Sequence, residues 1–110
     1  MICNFIFYVR DQEASTHFYR RLLNQEPTLN VPGMSEFKLS ENCTLGLMPE
    51  KGILRLLGEA IEDPAEASGV PRAEIYLSVS SPQEYMSRAE VIGARLLSPL
   101  IVRNWGDIAG

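Results

Sequence analysis

One pattern occurs twice in this chain, and any fold has to house both copies. The first runs from Asn4 to Asn24. Phe5, Phe7 and Val9 alternate with Asn4, Ile6 and Tyr8, the period of two that a strand requires. Asp11 stands where a helix N-cap belongs. Phe18, Tyr19, Leu22 and Leu23 then recur at helical spacing, with Ser15 on the same stripe, and Asn24 suits the left-handed residue that ends a helix. The second copy runs from Glu74 to Gly93. Ile75, Leu77 and Val79 alternate with Glu74, Tyr76 and Ser78. Ser81-Pro82-Gln83-Glu84 reads as a capping box, Tyr85, Met86, Ala89 and Ile92 form the helix stripe, and Gly93 stops it. Each copy is a strand, a tight turn and an amphipathic helix, and such doubling predicts two similar modules packed about a pseudo-twofold.

Turn chemistry divides the rest. Thr28–Val31, Met34–Ser40 and Cys43–Met48 read as three short strands, separated by Pro32-Gly33 and Glu41-Asn42 and closed by Pro49. Residues 1–48 are therefore module one, 49–72 a linker and 73–110 module two, in one domain. Within the linker, Ile53, Leu54, Leu56 and Leu57 predict a short helical turn. Glu59 to Val70, acidic and rich in Ala, Ser, Gly and Pro, predicts an exposed loop. Arg95 to Val102 reads as a strand, Asn104 to Asp107 as a turn, and Ile108 to Gly110 as the start of another strand.

With 110 residues the chain is long enough to bury roughly two-thirds of its unfolded surface in one domain. A net charge of -4 argues against a general nucleic-acid surface. No apolar run approaches the roughly 18 residues of a membrane span, and no basic segment precedes an apolar core as in a signal peptide. Cys3 and Cys43 are too few for a disulfide framework and read as reduced thiols in a cytoplasmic protein.

The ordered set Tyr8-Val9-Arg10-Asp11, Phe18 to Leu23, Leu45 to Glu50, Glu74 to Val79 and Asn104 to Asp107 resembles the vicinal oxygen chelate superfamily. That is the group of glyoxalase I, bleomycin-resistance proteins and extradiol dioxygenases, and the resemblance covers nearly the whole chain. It implies an α+β fold of two βαβββ modules, each a half-barrel with its helix outside and a shared cleft inside, with the final strands of the second module beyond Gly110. It also implies a metal held by four side chains. The first falls on Asn4, the second near Gly46, the third on Glu74, and the fourth after Gly110. This chain departs from that pattern. An asparagine amide is a weak ligand, glycine offers none, and divalent ions of this kind want carboxylate or imidazole donors. The expectation is no metal and no cofactor. The lone histidine, His17, falls on the helix face opposite the apolar stripe and reads as solvated.

The pleat sends Asn4, Ile6, Tyr8, Glu74, Tyr76 and Ser78 away from the helices, with Thr44, Gly46 and Met48 joining from the fourth strand. Such a wall suits a small-molecule pocket. Asn4, Tyr8, Met48, Glu74, Tyr76 and Trp105 are the candidate ligand-binding residues, and the aromatic ones among them can stack on a flat ligand. Glu74 is the one candidate catalytic residue, as a general base. The same carboxylate, partly desolvated on that wall, would also recognise a cation. Its structural alternative is a pair with Arg72, Arg95 or Arg103. The resemblance then implies a metal-independent homodimer binding a small organic molecule. One alternative is a lyase of the lactoylglutathione-lyase type, or a dioxygenase, with an unusual site around Glu74. The other is a protein whose cleft is filled by its own side chains and whose role is association.

Overall fold

The first strand and helix form where their letters place them. In the computed structural model, which describes residues 1–110, β1 spans Cys3–Val9 and α1 spans Gln12–Leu23. Asp11 caps the helix, its Oδ1 accepting the Ala14 N–H at 3.0 Å. Asn24 ends it with φ 52° and ψ 46°, a conformation its short polar side chain tolerates. β2 (Leu29–Val31), β3 (Met34–Ser40) and β4 (Cys43–Pro49) follow. The four strands form one sheet in the order β1-β4-β3-β2, with β1 parallel to β4 and the other neighbours antiparallel.

The core lies on the face of this sheet that α1 covers. Phe37 and Leu47 are 0% exposed and Leu45 is 1% exposed, and Phe7, Val9, Tyr19 and Leu23 pack around them. Each such side chain stabilises the fold by roughly 1.5–3 kcal/mol through burial. Phe5 is the exception. It shares the parity of Phe7 and Val9, yet it is 59% exposed and lies outside the core cluster, so its expected place under the helix is corrected.

A buried polar network pins the start of α1 to the β2–β3 corner. The Thr16 hydroxyl donates to the Gln12 carbonyl at 2.6 Å and lies 2.8 Å from Ser35 Oγ. The Gln12 amide nitrogen donates to the Val31 carbonyl and to Ser35 Oγ, while its oxygen accepts the Gly33 N–H. Ser35 Oγ donates to Asn30 Oδ1 at 3.0 Å. No buried side-chain nitrogen or oxygen is left without a partner, so the network does not weaken the core.

α2 (Glu50–Leu57) starts directly after Pro49 and buries Ile53, a longer helix than the short turn expected there. Two 3-10 turns, Gly58–Ala60 and Pro64–Ala67, carry the largely exposed linker.

The second copy of the pattern keeps its alternation but not its ladder. Ile75, Leu77 and Val79 are half-buried and Glu74, Tyr76 and Ser78 exposed, yet residues 71–79 form no strand. A strand needs hydrogen-bonding neighbours as well as period two, and no strand is hydrogen-bonded to this segment. α3 spans Pro82–Val91, with Gly93 just beyond it at φ 99°. The expected capping box does not form. The Ser81 side chain accepts no hydrogen bond, and only its backbone carbonyl takes the Glu84 N–H, at 3.1 Å. The strand expected over residues 95–102 shrinks to β5 (Ile101–Val102), which pairs antiparallel with β6 (Ile108–Ala109) around the Asn104–Asp107 turn.

The two regions meet at their helices. Arg88 of α3 donates Nε and Nη2 to the Leu22 carbonyl, at 3.2 and 3.0 Å, and its guanidinium lies 4.3 Å from the Tyr85 ring centroid. Ile75 reaches the core of the first sheet. No helix is long and apolar enough to cross a membrane. The chain exposes 8143 Å², against about 6,100 Å² for a compact monomer of this mass. Its radius of gyration, 15.3 Å, likewise exceeds the roughly 13 Å of a compact domain this long.

Candidate functional site

The face of the sheet away from α1 carries three of the anticipated binding residues together. The parallel register sets Asn4 beside Thr44, Ile6 beside Gly46 and Tyr8 beside Met48. At the middle of this wall a Cβ built on Gly46 would stand 3.1 Å from Ile6 Cγ1 and 3.4 Å from Met34 Sδ. Two apolar side chains crowd the point where a ligating side chain would begin and would have to give by a few tenths of an ångström. The start of α2 closes one end, where a Cβ on Gly52 would lie 3.6 Å from Met48 Cε.

Tyr8 faces the linker. It lines a hollow of about 470 Å³ with Ile61, Val70, Arg72 and the carboxylates of Glu62, Asp63 and Glu66. In the sequence these residues read as an ordinary exposed linker, with Arg72 named only as a partner for Glu74. They lie in an irregular, charged stretch with no periodicity to mark a binding surface, and only the fold brings them to Tyr8.

The other anticipated residues stand elsewhere. Tyr76 donates its hydroxyl to Asp107 Oδ2 at 2.9 Å, and the Trp105 indole N–H lies 3.5 Å from the same hydroxyl. Tyr76 and Trp105 therefore do meet, at the hydroxyl that also holds Asp107, in an exposed cluster on the second region. Asp107 was read only as a turn residue, and nothing in its spacing pairs it with Tyr76. Glu74 is exposed and makes no ion pair with Arg72, Arg95 or Arg103. The desolvation expected of it is not found. It stands at the edge of a crevice of about 250 Å³ lined by Phe7, Phe18, Tyr19, Leu22 and Ile75. In that crevice burial pushes the Tyr19 hydroxyl pKa up. The six anticipated ligand residues thus fall into three groups rather than one pocket. A hollow of about 1060 Å³ lies elsewhere again, beside the start of α1 between Arg10, His17, Arg20 and Asn30. His17 is exposed there, as its helix position predicts.

The donor set does not fit the metal that the sequence resemblance implies. Asn4 offers an amide, Gly46 offers no side chain, and Glu74 stands on a different segment from both. No three His, Cys, Asp or Glu side chains converge anywhere in the chain.

Known structures carry the same fold. A glyoxalase-related enzyme from Fulvimarina pelagi superposes with a TM-score of 0.75 at 18% identity, over 96% of this chain and 74% of its own. A glyoxalase/bleomycin resistance protein/dioxygenase from Nocardioides gives 0.71 at 23% identity, over 96% and 70%. These likenesses show a glyoxalase-type fold. A lactoylglutathione lyase from Agrobacterium tumefaciens shares this glyoxalase-type fold at a TM-score of 0.58 and 19% identity, over 96% and 79%. No family model and no curated protein matches the sequence. The glyoxalase-type fold was legible because β1, α1 and the three strands after it kept their expected order and nearly their expected bounds.

Proposed function

We propose that the chain is a metal-independent member of the glyoxalase, bleomycin-resistance and dioxygenase superfamily that binds a small organic molecule as a homodimer. The observation that carries this reading is Gly46 itself, which offers no donor at the second ligand position and already has Ile6 Cγ1 and Met34 Sδ within 3.1 and 3.4 Å of where a Cβ would stand. What remains on the wall is an aromatic ring at Tyr8, a thioether at Met48 and the amide of Asn4, groups that recognise an organic ligand by contact and hydrogen bonding. The dimer reading rests on surface. The chain exposes about 2,000 Å² more than a compact monomer would, an excess on the scale of a stable protein interface. In a superfamily half-barrel pair, residues 74–79 would gain the strand neighbours they lack in the single chain.

Native mass spectrometry of the purified protein, with metal analysis of the same sample, tests this. The expected species is a dimer carrying an organic mass and no metal. Near-stoichiometric zinc, nickel, manganese or iron would end the reading, and a monomer at micromolar concentration would end its dimeric part.

A lyase or dioxygenase working through Glu74 is the second reading. Its support is that the carboxylate stands unpaired at the mouth of an apolar crevice. Glu74→Gln should then abolish turnover with the circular dichroism spectrum unchanged, and retained turnover rejects it.

A further inference from the structure

Cys3 and Cys43 are register partners on the parallel β1–β4 pair, and both are free thiols. The Cys3 N–H donates to the Asn42 carbonyl at 2.8 Å, which fixes that register at the very start of β1. Opposed residues on adjacent strands send their side chains to the same face, and the strands run about 4.8 Å apart. A disulfide asks for a Cα separation of about 4.4–6.8 Å, which the spacing of this ladder meets. Cys3 shares the parity of Phe7 and Val9, and Cys43 that of Leu45 and Leu47, so both thiols lie on the α1 side, away from the Tyr8 wall. Cys3 is exposed and Cys43 half-buried, so one sulfur is open to a reagent while the other waits beside it. β1 has only β4 as a neighbour, so a link here would tie an edge strand to the sheet.

We infer that Cys3 and Cys43 form a vicinal dithiol, a modification site that closes to an intrachain disulfide when the protein meets a small-molecule disulfide. The Cys3 thiolate attacks one sulfur of the reagent and expels one small thiol, leaving a mixed disulfide on Cys3. The Cys43 thiolate then attacks the Cys3 sulfur, forms the Cys3–Cys43 bond and expels the second small thiol. Two electrons and two protons pass from the protein to the reagent, and excess thiol reverses both steps. The site does not depend on what the Tyr8 wall binds.

The probe is oxidised glutathione on the native full chain, read by intact mass and by tryptic digestion without reduction. The expected product is lighter by two hydrogen atoms, stays a single chain by denaturing electrophoresis, and yields Met1–Arg10 linked to Leu39–Lys51. Cys43→Ser should instead stop at one stable glutathione on Cys3. An unchanged mass, two glutathiones per native chain, or a covalent dimer through Cys3 would each overturn the inference, because each means that the paired thiols do not reach one another.

Discussion

In residues 3–49 four strands share hydrogen bonds, and the face they seal takes Phe37, Leu45 and Leu47 out of water entirely. In residues 73–110 the same strand-turn-helix pattern leaves no residue fully buried, and residues 74–79 alternate without a partner strand. The difference shows what the repeated pattern does and does not specify. Alternation decides which side chains can face a helix, and it did so in both regions with Phe5 as the exception. Whether a segment becomes a strand depends on neighbours, and only the first region has β3 and β4 to supply them. Capping follows the same rule. Asp11 holds the Ala14 N–H through its side chain, whereas Ser81, with proline next to it, uses only its backbone.

The sharpest way to break this contrast is truncation of one core residue on each side. Phe37→Ala should cost about 3–5 kcal/mol in urea unfolding. Leu77→Ala, which removes a half-buried side chain, should cost about 1 kcal/mol. If the two costs are equal, residues 74–79 are fully covered in solution and the contrast belongs to the isolated chain alone.

How much of this was readable in the letters follows the same division. β1, α1 and the three strands after it carry both period and punctuation, and their bounds shifted by at most one residue. The Ser35 network was invisible, because Gln12, Thr16, Asn30 and Ser35 have no common period and meet only when β2 and β3 fold under α1. Phe5 had the right parity but too little helix above it. The anticipated ligand residues were grouped by pleat parity alone, which fixes a face but not which segments share a hollow. Tyr8 therefore stands with the linker and Tyr76 with Asp107.

The next largest effect should come from that network. Ser35→Ala leaves Thr16, Gln12 and Asn30 short of partners in a buried place and should cost about 1–3 kcal/mol. Calorimetry checks it, and a loss below a few tenths of a kcal/mol would mean that water replaces the serine. The caps then give a paired test. Asp11→Ala should destabilise by about 1 kcal/mol and Ser81→Ala by less than about 0.5 kcal/mol. Equal losses would show that Ser81 caps in solution after all. The smallest effect is confined to alkaline solution. Burial raises the Tyr19 hydroxyl pKa in the folded state, so the unfolded chain ionises first. That contribution is complete below about pH 10 and fades as the pH rises through the folded value. In urea unfolding followed across pH 9–12, Tyr19→Phe should flatten this part of the alkaline loss, and an identical profile would place the loss elsewhere.

The grip of Arg88 on the Leu22 carbonyl has a consequence for how such a chain can vary. It joins residues 66 positions apart in sequence, so the relative seating of α1 and α3 is set by a direct clasp and not by the length of what lies between. Extra residues inserted near Gly69, in the exposed stretch before residue 73, would lengthen a tether without re-aiming either helix, since doubling a loop adds only about 0.6 kcal/mol of closure entropy. The linker is thus the place where related chains can differ in size while the helix pair keeps its geometry.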